Sequence, residues 1–190
     1  QEKVPFFLGG DHSVTIPLVQ GFESHGQPIH VIQVDAHPDL YFEYEGDRYS
    51  HACTAARLLE MRHVASVTQL GIRCMSSPQR QNAAQYRGRL FILTASQMGL
   101  EPIRLDHIPA GEPVYLTVDL DGIDPAFAPG VSHPVPGGLL SRQVLDLFHS
   151  FHWKLIGMDV VEVNPTQDIN NQTSILAARI LHEGMGVVDS

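Results

Sequence analysis

The sequence predicts a three-layer α/β/α fold built on a mainly parallel sheet. Three observations predict it. Short, near-continuously apolar runs rich in β-branched residues recur, longer amphipathic runs alternate with them, and acidic or imidazole side chains follow where apolar runs stop. Strands buried on both faces have to be apolar throughout. Strand–helix alternation then stacks helices on both faces of a parallel sheet.

Taken in order, residues 5–10 (PFFLGG) read as the first strand, and the glycines let the chain turn tightly at its end. Residues 14–24 have helical spacing. Residues 29–37 (IHVIQVDAH) form the second strand, followed by an acidic, aromatic loop over 38–50. A helix over 53–62 leads to a strand over 67–73, and a helix over 78–86 to a strand over 89–93. Residues 113–121 (PVYLTVDLD) are again β-branched and apolar. Pro and Gly crowd residues 124–138, which makes that stretch an irregular loop. Ser141 reads as the N-cap of a helix over 141–151, with Val144, Leu145, Leu147 and Phe148 at helical spacing. A strand over 154–163 and a helix over 173–184 complete the series. Neither repeats nor a low-complexity linker interrupt it, so residues 1–190 are expected to form one domain.

Composition narrows the function classes. A hydrophobic fraction of 43% and a charged fraction of 17% suit an ordinary globular protein. The net charge of −9 argues against a nucleic-acid partner, whose binding runs on Lys and Arg. No apolar run is long enough to cross a bilayer and no charged-then-apolar leader is visible, so no membrane or secreted role is expected. Cys53 and Cys74 read as reduced, half-buried thiols of a cytoplasmic protein. The opening "QEKVPFFLGG" has no initiator Met and enters an apolar run at once, as a piece of a longer protein would.

The chemistry gathers at strand ends. "VDAHPDL" carries Asp35, His37 and Asp39 at alternate positions, which an extended chain would point to one face. "VYLTVDLDGIDP" ends another strand with Asp119 and Asp121, and "FFLGGDHS" a third with Asp11 and His12. In open parallel sheets the ligand crevice lies at the carboxyl ends of the strands. So many carboxylates and imidazoles facing one another would repel or stay desolvated without a cation. Oxygen and nitrogen donors without a thiolate suit a hard or borderline divalent ion, Mn²⁺ ahead of Zn²⁺. The carboxylates suffice for two such ions, and a pair lowers the pKa of water enough to give a nucleophile at neutral pH. Read from the residues, this is a two-metal hydrolase.

"GGDHS", "DAHPD" and "VDLDGIDPAFAPG" together resemble the signatures of the ureohydrolase family, which contains arginase and agmatinase. The likeness runs from about Phe6 to Gly186 and leaves out the family's amino-terminal segment. It implies an arginase-like fold with its metals at the carboxyl ends of the strands. By motif it makes His12, Asp35, His37, Asp39, Asp119 and Asp121 the ligands of two Mn²⁺ per chain, with Asp35 and Asp121 or their neighbours bridging. It gives Glu162 of "VVEVNP" the substrate guanidinium, a planar cation that a carboxylate can grip twice. His51 of "RYSHACTAAR" matches the proton-shuttling His, a group that titrates near neutrality. Here Ala52 stands where arginases and many agmatinases have Gly. In the mechanism implied, Asp39 holds the attacking hydroxide by a hydrogen bond and His51 relays a proton to the departing amine. His133 occupies a loop position where the family usually has Thr, and no role is assigned to it.

The expected substrate is agmatine, cleaved to putrescine and urea. The loop over 38–50 carries Glu43, Glu45 and Asp47, which would not welcome the carboxylate of arginine but would tolerate an amine. Guanidinobutyrate, guanidine, arginine and formiminoglutamate remain as alternatives within the family, as does a truncated metal-binding domain without activity. A metallophosphoesterase is the rival from outside it, but its Gly-Asn-His segment is missing. The family also implies a homo-oligomer, trimeric or hexameric.

Overall fold

The computed structural model describes residues 3–99, 105–150 and 152–188. Its strands are β1 (Phe6–Leu8), β2 (Ile29–Val34), β3 (Val64–Ile72), β4 (Leu90–Thr94), β5 (Pro113–Asp119) and β6 (Lys154–Val161). They form a 6-stranded sheet in the order β1-β6-β5-β2-β3-β4, and each neighbouring pair is parallel.

Helices cover both faces. Against one lie α1 (Thr15–Gln20) and α2 (Thr54–Glu60), whose Val19, Ala55, Leu58 and Leu59 pack on Val31, Val67 and Tyr115. Against the other lie α5 (Ser141–His149) and α6 (Gln172–Val188), whose Val144, Leu147, Phe148, Ala177 and Ile180 pack on Val114, Leu116 and Met158. Each buried Leu or Phe contributes about 1.5–3 kcal/mol, so these two apolar layers hold the sheet between them. Two short helices, α3 (Ser77–Ala83) and α4 (Ala95–Met98), complete the set. No helix among the described residues is long and apolar enough to cross a membrane.

Element order follows the sequence reading closely. The strands end sooner than expected, because the polar residues past Leu8, Val34, Asp119 and Val161 leave the sheet. The expected helix over 14–24 shortens to α1 behind a 3-10 turn at His12–Val14, and Gly21 ends it. Ser141 is the first helical residue of α5 and not its N-cap. Leu140 holds the cap position, with its N–H satisfied by the Gln143 side chain at 2.9 Å. The end expected for that helix, Phe151, lies outside the described residues. The short α4 has no periodicity to announce it.

Register positions the site. Leu8 pairs with Val160, Val160 with Val118, and Val118 with Val34, so four strands finish on one line. From β2 the chain runs outward to β3 and β4 and then returns to β5 on the other side of β2. The crevice at such a reversal is where open α/β sheets bind ligands. The segments carrying His12, Asp35, Asp119 and Glu162 all leave the sheet along that line.

Candidate metal centre

Three turns deliver the acidic and imidazole side chains. After β1, Asp11 caps the 3-10 turn by accepting the Ser13 N–H at 3.0 Å, and His12 turns inward to 1% exposure. After β5, Asp119 accepts the Asp121 N–H at 2.8 Å, so a second 3-10 turn, Leu120–Gly122, points Asp121 back at the sheet. The turn after β2 departs from expectation. Asp35, His37 and Asp39 do not converge through an extended pleat, because the strand ends at Val34. The Asp35 carboxylate accepts the His37 N–H at 2.6 Å, and Asp39 adopts the left-handed φ of 48°. A turn, not alternation, brings them together.

Two groupings result. The His12 Nδ1 lies 3.1 Å from Asp35, 3.2 Å from Asp39 and 3.2 Å from Asp119, measured to one oxygen of each. The His37 Nδ1 lies 2.9 Å from Asp121 and 3.7 Å from the other oxygen of Asp35. Asp35 alone belongs to both, which makes it the carboxylate able to bridge two ions. The sequence reading left the bridge open between Asp35, Asp121 and their neighbours, and the second oxygen of Asp121 accepts the Ala36 N–H at 3.0 Å.

These residues fit divalent cations on their own geometry. The His12 Nδ1 is buried among three carboxylate oxygens and meets none of them in good hydrogen-bond geometry, while its Nε2 meets the Thr117 hydroxyl at 3.0 Å. A buried polar atom left in that state is costly, and a cation bound between the nitrogen and the oxygens removes the cost. Charge tells the same story. Burial opposes a charge on the His12 ring, but the contacts with Asp119, Asp35 and Asp39 raise its pKa. Burial and then repulsion from Asp121 and Asp35 hold the Asp119 carboxyl well above its ordinary range. Burial and then Asp35 push Asp39 up to about 8. Burial works against a charge on His37, but the Asp121 contact outweighs it and raises the ring to about 9. Asp121 goes the other way, since the same His37 contact overcomes its burial. Protons thus crowd onto the cluster where cations could stand. All donors are oxygen or nitrogen, the set that suits Mn²⁺ and its neighbours.

Glu162 and His51 line the same cavity as this cluster, together with Tyr41, Tyr44, Cys74, Ser76, Gln79 and His133. Glu162 sits at φ 67° after β6, its N–H on the Gly10 carbonyl, and its carboxylate accepts the His12 N–H at 2.8 Å. Burial raises its carboxyl. His51 opens a 3-10 turn behind Ser50 and stacks on His133, with ring centroids 5.6 Å apart and planes 18° from parallel. His133 also meets the His37 ring edge-on at 6.3 Å. All eight candidate residues therefore gather at one place, and His133 joins them.

Sequence reasoning missed the supports. Gln33 donates to Asp35 at 2.7 Å and is itself held by Gln69 at 3.0 Å. Arg73 donates to the Asp121, Gly122 and Val135 carbonyls, tying the β5 turn to the loop that carries His133. Nothing in the sequence marks Arg73 as more than a strand terminus. Asp159 did leave a signal, a lone carboxylate inside the apolar "LIGMDVV". It is fully buried, and burial raises its carboxyl against the opposing pull of His12 and three hydroxyl contacts. The cysteines also differ from expectation. Cys53 is buried, and Cys74 is exposed at the cavity because it follows the end of β3.

Comparison with known proteins agrees with the geometry. The pattern of the arginase family matches residues 1–186. Arginase 1, mitochondrial, of Arabidopsis thaliana is 40% identical over 186 residues, covering 94% of this chain and 53% of the relative. N(1)-aminopropylagmatine ureohydrolase of Thermus thermophilus is 39% identical over 184 residues, covering 95% of this chain and 61% of the relative. The solved structure of arginase from Medicago truncatula superposes with a TM-score of 0.84 at 34% identity, covering 98% of this chain and 59% of that one. The chain thus spans between about half and three-fifths of the length of these relatives.

Proposed function

The chain belongs to the arginase family, and from that premise we propose that it is a two-metal ureohydrolase whose substrate is agmatine, split to putrescine and urea. One observation carries the reading: the Glu162 carboxylate lines the cavity directly beside the His12 cluster, held there by the His12 N–H at 2.8 Å.

His12, Asp35, Asp39 and Asp119 would hold one Mn²⁺, and His37, Asp121 and the shared Asp35 the other. When bound, the pair lowers the pKa of water and supplies a nucleophile at neutral pH. The protein's own groups do the rest. Glu162 binds the planar guanidinium through its free lone pairs and sets its carbon over the cluster. Asp39 accepts a hydrogen bond from the attacking oxygen and keeps it aimed. His51 carries a proton to the departing amine, an exchange imidazole performs near neutral pH.

Agmatine is favoured over arginine by the cavity lining. Among the described residues no Lys or Arg lines it, so an α-carboxylate would meet no fixed cation. Tyr41 and Tyr44 instead line it, and aromatic side chains suit an aliphatic chain ending in an amine. The cysteines Cys53 and Cys74 are both free, which supports a reducing compartment such as the cytoplasm. Assembly into a homo-oligomer belongs to the same proposal, and light scattering would measure it.

The test is urea release after Mn²⁺ loading, from agmatine, arginine, guanidinobutyrate, guanidine and N(1)-aminopropylagmatine side by side. Agmatine should give urea fastest, and Glu162→Gln should abolish it. Faster urea from arginine would overturn the substrate. No urea from any of them would overturn the activity.

A further inference from the structure

Behind His12 runs a chain of hydrogen bonds that ends on a carboxylate outside the metal cluster. Asp159 lies mid-strand in β6 and is fully buried, with no Lys or Arg side chain among its recorded partners. Its Oδ2 accepts from the Thr15 hydroxyl at 3.0 Å and the Tyr115 hydroxyl at 2.7 Å, and its Oδ1 from the Thr117 hydroxyl at 2.5 Å. The Thr117 oxygen also lies 3.0 Å from the His12 Nε2.

With Asp159 ionised and His12 neutral, the shortest contacts select one arrangement, in which the Thr117 hydroxyl donates to Asp159 and not to the Thr15 oxygen 3.3 Å away. An ionised carboxylate accepts only, and a hydroxyl has one proton to give. Thr117 gives its proton to Asp159, so toward His12 it offers only a lone pair. His12 must then place a proton on Nε2. Neutral imidazole carries one proton, so Nδ1 is left with its lone pair facing Asp35, Asp39 and Asp119. That tautomer binds a metal ion; the opposite one points a proton at it.

We propose that Asp159 is a positioning residue that acts through Thr117 to fix the His12 tautomer, and thereby sets the affinity of the inner ion site, the one His12 would form with Asp35, Asp39 and Asp119. The inference rests on the two-metal reading, but not on which guanidino compound is cleaved. The substitution Asp159→Asn offers an N–H to Thr117. The hydroxyl can then turn its proton toward Nε2, and His12 is driven to the tautomer that opposes binding. Tyr115 bonds the far oxygen of the same carboxylate and takes no part in the relay, so it reports on structural support alone.

The experiment titrates the full chain with Mn²⁺ against a fluorescent chelator, with melting temperatures measured in parallel without metal. Asp159→Asn and Thr117→Val should each weaken one of the two ions by about 10–100-fold, the usual effect of changing the partner behind a metal-binding His. Thr117→Ser should restore it, and Tyr115→Phe should lower the melting temperature while leaving both affinities within about twofold of the parent chain. Unchanged affinity in Asp159→Asn would overturn the relay. So would equal weakening in Tyr115→Phe, which would make Asp159 a structural support only. Two tightly bound ions without urea release would break the functional reading and leave the relay standing. A parent chain that binds no Mn²⁺ would remove both.

Discussion

The two halves of the candidate metal centre use the same residue types under different rules. Around His12 the imidazole and its carboxylates are buried, and Thr117 and Asp159 hold the ring from behind. Around His37 the ring is 26% exposed, meets Asp121 and one edge of Asp35, and faces His133 across the cavity. Burial decides what each half can do. A sealed cluster cannot leave its charges unpaired, so a cation or a proton has to occupy it. An open one can trade ligands with the solution. The inner half should hold its ion tightly, and the outer half should be where exchange and substrate contact occur.

Removing what the halves share should have the largest effect. Asp35→Ala takes a ligand from both, so each Mn²⁺ should weaken by more than about 100-fold, beyond what a supporting residue alone causes, and urea release should vanish. Chelator titration would show it. One ion still bound tightly would mean that Asp35 is not the bridge.

Separating the halves comes next. His12→Ala leaves the Thr117 oxygen and three carboxylates facing one another in a buried space, at a cost to the metal-free fold of about 1–3 kcal/mol. His37→Ala leaves the Asp121 oxygen it met open to the cavity and its solvent, so it should destabilise less than His12→Ala while removing only the outer ion. Denaturant unfolding beside metal titration would test the pair. Equal destabilisation by both would erase the distinction between sealed and open.

A smaller effect should appear with pH. Without metal, His37 is raised to about 9 from 6.5, and Asp39 to about 8 from 3.8. In each case the folded state keeps a proton that the unfolded chain gives up. The stability from His37 is complete below 6.5 and lost through 9, and that from Asp39 falls between 3.8 and 8. The metal-free melting temperature should therefore fall as pH rises from 6.5 to 9. Mn²⁺ should flatten the slope by taking the place of the protons. A metal-free profile that is flat or rising over this window would contradict the charge balance described for the cluster.

The layered sheet and the gathering of acidic and imidazole side chains at its edge were legible because both are local signals. A strand buried on two faces has to be apolar, and the polar residues at which it stops, such as Asp35 and Asp119, mark the active edge. How those residues converge was not legible. The turn at Asp39 depends on the Asp35 carboxylate accepting the His37 N–H, and no periodicity encodes such a bond. Arg73 escaped for a related reason, since its partners are carbonyls far away in sequence. His133 was noticed as unusual, but only the fold brings it within stacking distance of His51.

Asp39 and Glu162 share one further property: both hold a positive φ without being glycine. An L-residue pays about 1–3 kcal/mol for that backbone. Under the proposed function, these two positions trade backbone stability for chemistry. In a copy of the gene released from catalysis, Gly or Asn at either site would relieve the backbone at once, so drift should reach them early. Asp39→Gly is the laboratory counterpart: the metal-free chain should melt higher than its parent while Mn²⁺ binding collapses, and a lower melting point would show that the turn is not under strain.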